Sequence, residues 1–245
     1  MEDKNLKHVL IVDDEPDLIN ILTVILTKTK RYRVSGAEDG KKALDFLSKD
    51  PSVDLVLADI KMPEMDGIGL LQKIKEHDLE RPKVLFITGF TDLSLEELYD
   101  AGACGFISKP FDWEKIISIV DEALLPKPRY RKIFRKEEIK ADITLEMESI
   151  DVAQLYSEDF TLGRGGLFVV SPKEVFTGDL VNFKIAFLGG EIKNIEGVGQ
   201  VVWYKRTNKD LTHLGIKFYN IEPELEFSIE KFCNKNNIRF FIPRR

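Results

Sequence analysis

The sequence predicts an α/β domain, a doubly wound five-stranded parallel sheet, followed by a small antiparallel β-barrel with a C-terminal helix. Three observations lead there. Short apolar runs alternate with amphipathic helical stretches through residue 125, and beyond a basic junction the helical periodicity gives way to strands. The charge changes at the same place: residues 1–125 carry 16 Lys and Arg against 25 Asp and Glu, net −9, and the rest carries 20 against 17, net +3. A chain of 245 residues accommodates two ordinary domains, here 1–125 and 139–245, joined by a linker over 126–138.

In the first domain the runs HVLIV, RVSGA, DLVLAD, KVLFIT and GFIS have strand length. Between and after them, PDLINILTVILTKT, GKKALDFLSK, GIGLLQKIKE, SLEELYDAG and WEKIISIVDEALL place apolar residues at three- and four-residue spacing. Strands alternating with helices make a parallel sheet, and in such sheets functional residues collect beyond the carboxyl ends of the strands. After the first strand come Asp13, Asp14 and Glu15; the third ends on Asp59, the fourth on Thr88, and Lys109-Pro110 follows the fifth. Carboxylates gathered there repel one another without a cation, and oxygen-only ligands with open coordination suit Mg²⁺. Lys109 and Thr88 supply donors where a phosphoryl oxygen would sit.

VLIVDDEPDL, DLVLADIKMPEMDG, FITG and GFISKPF resemble the receiver domain of bacterial two-component response regulators, over residues 6–125. The resemblance implies a flavodoxin-like fold with Asp59 as phosphoacceptor. It implies that Asp14, Asp59 and the Lys61 backbone carbonyl hold Mg²⁺, with Asp13 helping. It further implies that Lys109 pairs with the phosphoryl group, Thr88 hydrogen-bonds to it, and Phe106 is the rotating aromatic of the switch. Lys109-Pro110 is expected to be cis, a form accessible chiefly to X–Pro bonds. The partner is then a sensor histidine kinase, and phosphorylation repacks the face of the fourth helix, fifth strand and fifth helix, through which a homodimer would form. Lys61 and Phe90 lie two residues beyond Asp59 and Thr88, beside the path of hydrolytic water. A long cation and a bulky ring there predict a slowly decaying phosphoryl group.

The junction LLPKPRYRKIFRKEE has two prolines that end the fifth helix and stiffen the exit. Beyond it ADITLEME, VAQLYSED, GLFVVS, LVNFKIAF, IEGVGQVVWYKR and THLGIKFYNI read as strands, separated by turn signals such as FTGD and FLGGE. PELEFSIEKFCNKN then reads as a closing helix with Leu225, Ile229 and Phe232 on one face. The last stretch, NNIRFFIPRR, is expected to pack as an edge strand with a frayed end; its aromatics and arginines also suit a partner or membrane-surface contact.

An R-x-x-x-R pair, GGLFV, GDLVNFKI, GQVVWYKR and LGIKF resemble a PilZ domain over about residues 126–235. The resemblance implies cyclic di-GMP as ligand, gripped by Arg131 and Arg135 and by a later [D/N]-x-S-x-x-G turn. A guanidinium bonds phosphate bidentately and presents its edge to guanine N7 and O6. Aligned on GGLFV without a gap, the turn motif falls on Thr161 to Gly166, with Thr161 in place of the acid or amide and Gly163 in place of the serine. Sliding the frame puts Asp159 and Thr161 in the first two places and Arg164 on the final glycine. Either way the turn departs from the family pattern. Thr161 keeps a hydroxyl, Arg164 adds a cation suited to phosphate, and Gly163 and Gly166 let backbone approach an anion.

Other functions fit less well. The second half has one histidine, His213, and no Ser/His/Asp or Cys/His arrangement, so the chain is expected to be no enzyme beyond phosphotransfer to its own Asp59. A single long helix and a net of +3 argue against duplex DNA as target. Cys104 and Cys233 stand far apart, which excludes a disulfide scaffold. No apolar run reaches membrane-span length and MEDKNLKHVL lacks a signal peptide's features, so a cytoplasmic location is expected. Two alternatives remain: an interaction module controlled by phosphorylation alone, with an unidentified protein partner, and a transcription factor with a divergent output.

Overall fold

The computed structural model describes residues 6–78, 81–89, 94–124, 138–150, 153–154, 157–207 and 211–244. They form two compact units. The first holds a five-stranded sheet and its helices. The second takes Ser94–Asp100 together with the described residues from 138 onward.

In the first unit β1 (Lys7–Val12), β2 (Tyr32–Ala37), β3 (Leu55–Asp59), β4 (Lys83–Thr88) and β5 (Gly105–Ser108) lie in the order β2-β1-β3-β4-β5, every pair parallel. Val9–Val12 and Leu55–Ala58 are fully buried. Strands covered on both faces read as continuous apolar runs, as these do. The helices are α1 (Pro16–Lys28), α2 (Gly40–Lys49), α3 (Gly67–His77) and α5 (Trp113–Leu124); α4 (Leu95–Asp100) falls in the second unit. Leu22 and Leu26 of α1, Leu70, Leu71 and Ile74 of α3, and Ile116 and Val120 of α5 are buried. Helix starts are specified locally: Pro16 sits in the first turn of α1, and Asp39 and Asp66 accept from Lys42 N and Gly69 N at the starts of α2 and α3.

In the second unit β6 (Ile139–Ser149), β7 (Phe160–Leu162), β8 (Gly166–Ser171), β9 (Leu180–Gly189), β10 (Asn194–Arg206) and β11 (Thr212–Ile221) lie in the order β6-β9-β10-β11-β8-β7. The strands enclose a core that includes Phe160, Leu167, Phe183, Ile185 and Leu214. The chain then closes with α6 (Pro223–Lys235), which adds Ile229, Phe232 and Cys233 to that core with Leu225 against its margin. Burial alternates along β9, with Val181, Phe183, Ile185 and Phe187 turned into the core.

Three features depart from the sequence expectation. β6 pairs with β9 in parallel, whereas the other pairs of this sheet are antiparallel. The long segment between these two strands, which includes β7 and β8, is the crossover that parallel pairing needs. VAQLYSED is not a strand where described: Ala153 and Gln154 are helical, and the strand is the following Phe160–Leu162. The Gln154 amide donates to Leu162 O at 3.1 Å and accepts from Leu162 N at 2.8 Å, serving backbone groups of an edge strand. Finally, the segment after α6 is not an edge strand. Ile238 and Ile242 are buried, and the backbone between them bonds to a turn instead.

Candidate functional site

The carboxyl ends of β1, β3 and β5 bring two acids and one lysine together. Lys109 Nζ lies 3.2 Å from Asp13 Oδ2 and 3.1 Å from Asp59 Oδ1, with Glu15 Oε1 at 4.0 Å. Asp13 is 1% exposed and Asp59 8%, so the ion pairs are largely shielded from water. The two aspartates are aimed by one device. Asp13 Oδ1 accepts from Glu15 N at 2.9 Å, and Asp59 Oδ2 accepts from Lys61 N at 2.7 Å. Each side chain thus folds over the backbone two residues on, as aspartate does in tight turns, leaving its other oxygen directed at Lys109.

The surrounding chain holds this arrangement. Gly67 N donates to Ile60 O at 2.9 Å, and a Cβ on Gly67 would lie 2.3 Å from Asp59 O. Any side chain at 67 would push α3 off the strand end that carries Asp59. Lys109 N donates to Thr88 O at 2.7 Å, which ties the chain after β5 to the end of β4. Thr88 itself is buried. The Lys109-Pro110 bond is cis.

Burial raises the Asp59 carboxyl above its ordinary range; the Lys109 and Lys61 donors oppose this and Asp13 adds to it. Burial works against the Lys109 charge, yet the hydrogen bond it donates to Asp59 and the charges of Asp13 and Asp59 outweigh it and raise the ammonium. Two carboxylates against one ammonium leave a net negative cluster whose lone-pair donors are oxygens. That is the donor set a hard divalent cation takes, and Asp14, exposed beside Asp13, can extend it.

The Phe160–Val169 stretch is built differently. Gly163 N donates to Gly166 O at 2.8 Å, Arg164 N to Phe240 O at 3.2 Å and Gly165 N to Phe241 O at 2.8 Å. A Cβ on Gly165 would lie 1.9 Å from the Phe241 ring. Arg164 Nε donates to Ile238 O at 2.5 Å and Nη2 to Asn234 Oδ1 at 2.8 Å. Thr161 is buried with its hydroxyl on Phe160 O at 2.8 Å.

Residues 9–121 match the family described as the response regulator receiver domain, and residues 131–235 match the PilZ domain. The chain is a receiver domain followed by a PilZ domain. It is 36% identical over 119 residues to sporulation initiation phosphotransferase F of Bacillus subtilis, covering 48% of this chain and 94% of that protein. It is 34% identical over 121 residues to the response regulator receiver protein CpdR of Brucella abortus, covering 49% of this chain and 98% of that one. A probable cyclic di-GMP phosphodiesterase of Vibrio cholerae is 40% identical over 112 residues, 45% of this chain. This chain spans only 25% of that relative's length.

Of the residues singled out in the receiver, the structure gathers Asp13, Asp59, Lys109 and the Thr88 backbone. Asp14 and the Lys61 side chain are exposed, and Phe106 on β5 is half-buried. Phe90 lies outside the described residues, as do Arg131 and Arg135 of the PilZ domain. Gly163, Arg164 and Gly166 lie together at the β7–β8 turn and meet the chain's own C-terminal segment, while Thr161 sits within β7 with its hydroxyl on Phe160 O. Sequence reasoning missed that seat. Its signal was the density of glycine at a strand corner, which marks close approach by another group without naming it.

Replacing Lys109 with Met leaves Asp13 and Asp59 facing each other without their cation, a loss on the order of 3 kcal/mol. Thermal unfolding without divalent ions is expected at lower temperature in Lys109→Met. Added Mg²⁺ should raise the variant's midpoint more than the wild type's. Equal shifts would show that the two carboxylates do not share a cation site.

Proposed function

We propose that this chain is a two-component response regulator phosphorylated on Asp59 by a sensor histidine kinase, its PilZ domain passing the signal on by protein–protein interaction. The observation that supports this most is the position of Lys109 Nζ, within 3.2 Å of both Asp13 and Asp59. Asp59 Oδ1 attacks the phosphorus of a phosphohistidine in line; the new O–P bond forms as the P–N bond breaks and the imidazole departs. Lys109 is placed to turn from the carboxylate to the incoming phosphoryl oxygens, where negative charge builds. Asp13, Asp14, Asp59 and the Lys61 carbonyl would hold Mg²⁺, which supplies further neutralisation of that charge. Carried over from the receiver family, the Thr88 hydroxyl then bonds the phosphoryl group and Phe106 rotates behind it. The face of α4, β5 and α5 is altered, and a homodimer or a protein partner reads it. A cytoplasmic location and an activity confined to its own Asp59 accord with this reading.

Labelling with a small phosphodonor such as acetyl phosphate, in Mg²⁺, tests the assignment. Wild type is expected to incorporate label and Asp59→Asn none. Label retained at the wild-type level in Asp59→Asn contradicts the assignment.

Cyclic di-GMP as a second input is supported by the PilZ match and by Arg131 and Arg135 in R-x-x-x-R spacing. Calorimetric titration with cyclic di-GMP is expected to give saturable heat that Arg131→Ala/Arg135→Ala loses. Two charge-assisted contacts of about 1.5–3 kcal/mol each correspond to two to four decades of affinity. A flat wild-type trace reduces the PilZ domain to an interaction module under the control of Asp59.

A further inference from the structure

The β7–β8 turn is not open. A phosphate cradle requires backbone N–H groups that point at the ligand, and those of Arg164 and Gly165 already donate to Phe240 O and Phe241 O. Gly163 and Gly165 have no room for a side chain because Phe241 occupies it: a Cβ at 163 would lie 2.6 Å from Phe241 O, and one at 165 would lie inside the ring contact. The turn is a mould for the C-terminal segment.

Within the same compact unit that segment is held from a second side. Phe241 N donates to Tyr99 O at 2.9 Å and Ile242 N donates to it at 3.4 Å. The Tyr99 and Phe241 rings stack with centroids 6.4 Å apart and planes at 22°. Arg244 reaches Asp100 Oδ2 and Glu97 Oε1, each at 3.3 Å. One residue, Phe241, therefore gives its carbonyl to Gly165 and its N–H to Tyr99, so both partners depend on one backbone position.

We propose that Phe240–Arg244 is a displaceable latch through which α4 sets whether the N–H donors of the β7–β8 turn are free. α4 has six residues, too few to hold helical structure without tertiary contacts. Its pairs with Arg244 are half-exposed and individually weak. The latch is thus poised to open when α4 shifts, and opening bares two backbone N–H groups beside Arg164, a set that suits a phosphate-bearing ligand. On the reading proposed above, phosphorylation at Asp59 is what shifts α4, and this inference rests on that reading only for its trigger.

Residue-resolved amide hydrogen exchange on the full chain tests the latch without phosphodonor or nucleotide, so it stands apart from any failure at Asp59. In Arg244→Glu the Arg164 and Gly165 amides are expected to exchange at least about ten-fold faster, since their acceptors lie on the segment being released. The Gly163 amide, bonded within the turn, and those of Leu167 and Val169 should keep wild-type rates. Tyr99→Ala, acting from the helix side, is expected to do the same. Wild-type protection of Arg164 and Gly165 in Arg244→Glu overturns the proposal.

Discussion

Two buried carboxylates facing one lysine are the constraint on which the receiver is organised. Lys109 lies between Asp13 and Asp59 and offsets their like charges, and the three come from the ends of three different strands. A parallel sheet ordered β2-β1-β3-β4-β5 is what brings those ends to one edge, with β1 beside β3. The tight turns after Asp13 and Asp59, the missing side chain at Gly67 and the tie from Lys109 N to Thr88 O refine a position that the topology has already set. On the proposed function the same imbalance of charge is what a divalent cation would relieve, and that cation and Lys109 together would receive the phosphoryl group.

The PilZ domain is organised around a different constraint, backbone donors that must be satisfied. Arg164 and Gly165 give theirs to the C-terminal segment, and the glycines provide the space for its aromatic ring. The turn that opened the question of an anion cradle thus serves first as a seat for the chain's own tail. Any anion using these donors would have to compete with two carbonyl oxygens already in place.

Much of this was legible in the sequence because it rests on local signals. Apolar runs of strand length ending on Asp59 or followed by Asp13 and Lys109 locate one edge of a parallel sheet, and that edge is where the acids meet. The helix Pro223–Lys235 was legible from the spacing of Leu225, Ile229 and Phe232. What escaped depends on partners far along the chain. Where a strand was expected, Ala153 and Gln154 are helical, and the Gln154 side chain bonds the Leu162 backbone. β6 runs parallel to β9 because β7 and β8 intervene, and no pattern within either strand states its direction. The tail read as an edge strand because FFI has strand character. Its seat is specified by glycines at the β7–β8 turn and by Tyr99, none of them near it in sequence.

On the proposed function a single carboxylate, that of Asp59, accepts the phosphoryl group. Borohydride reduction of the phosphodonor-treated chain, followed by peptide mass spectrometry, tests it most directly, because it converts an aspartyl phosphate into homoserine and leaves a free carboxylate alone. Homoserine at position 59, and at neither Asp13 nor Asp14, is the predicted result. Homoserine at 13 or 14, or none under conditions of measured phosphodonor turnover, would contradict the account.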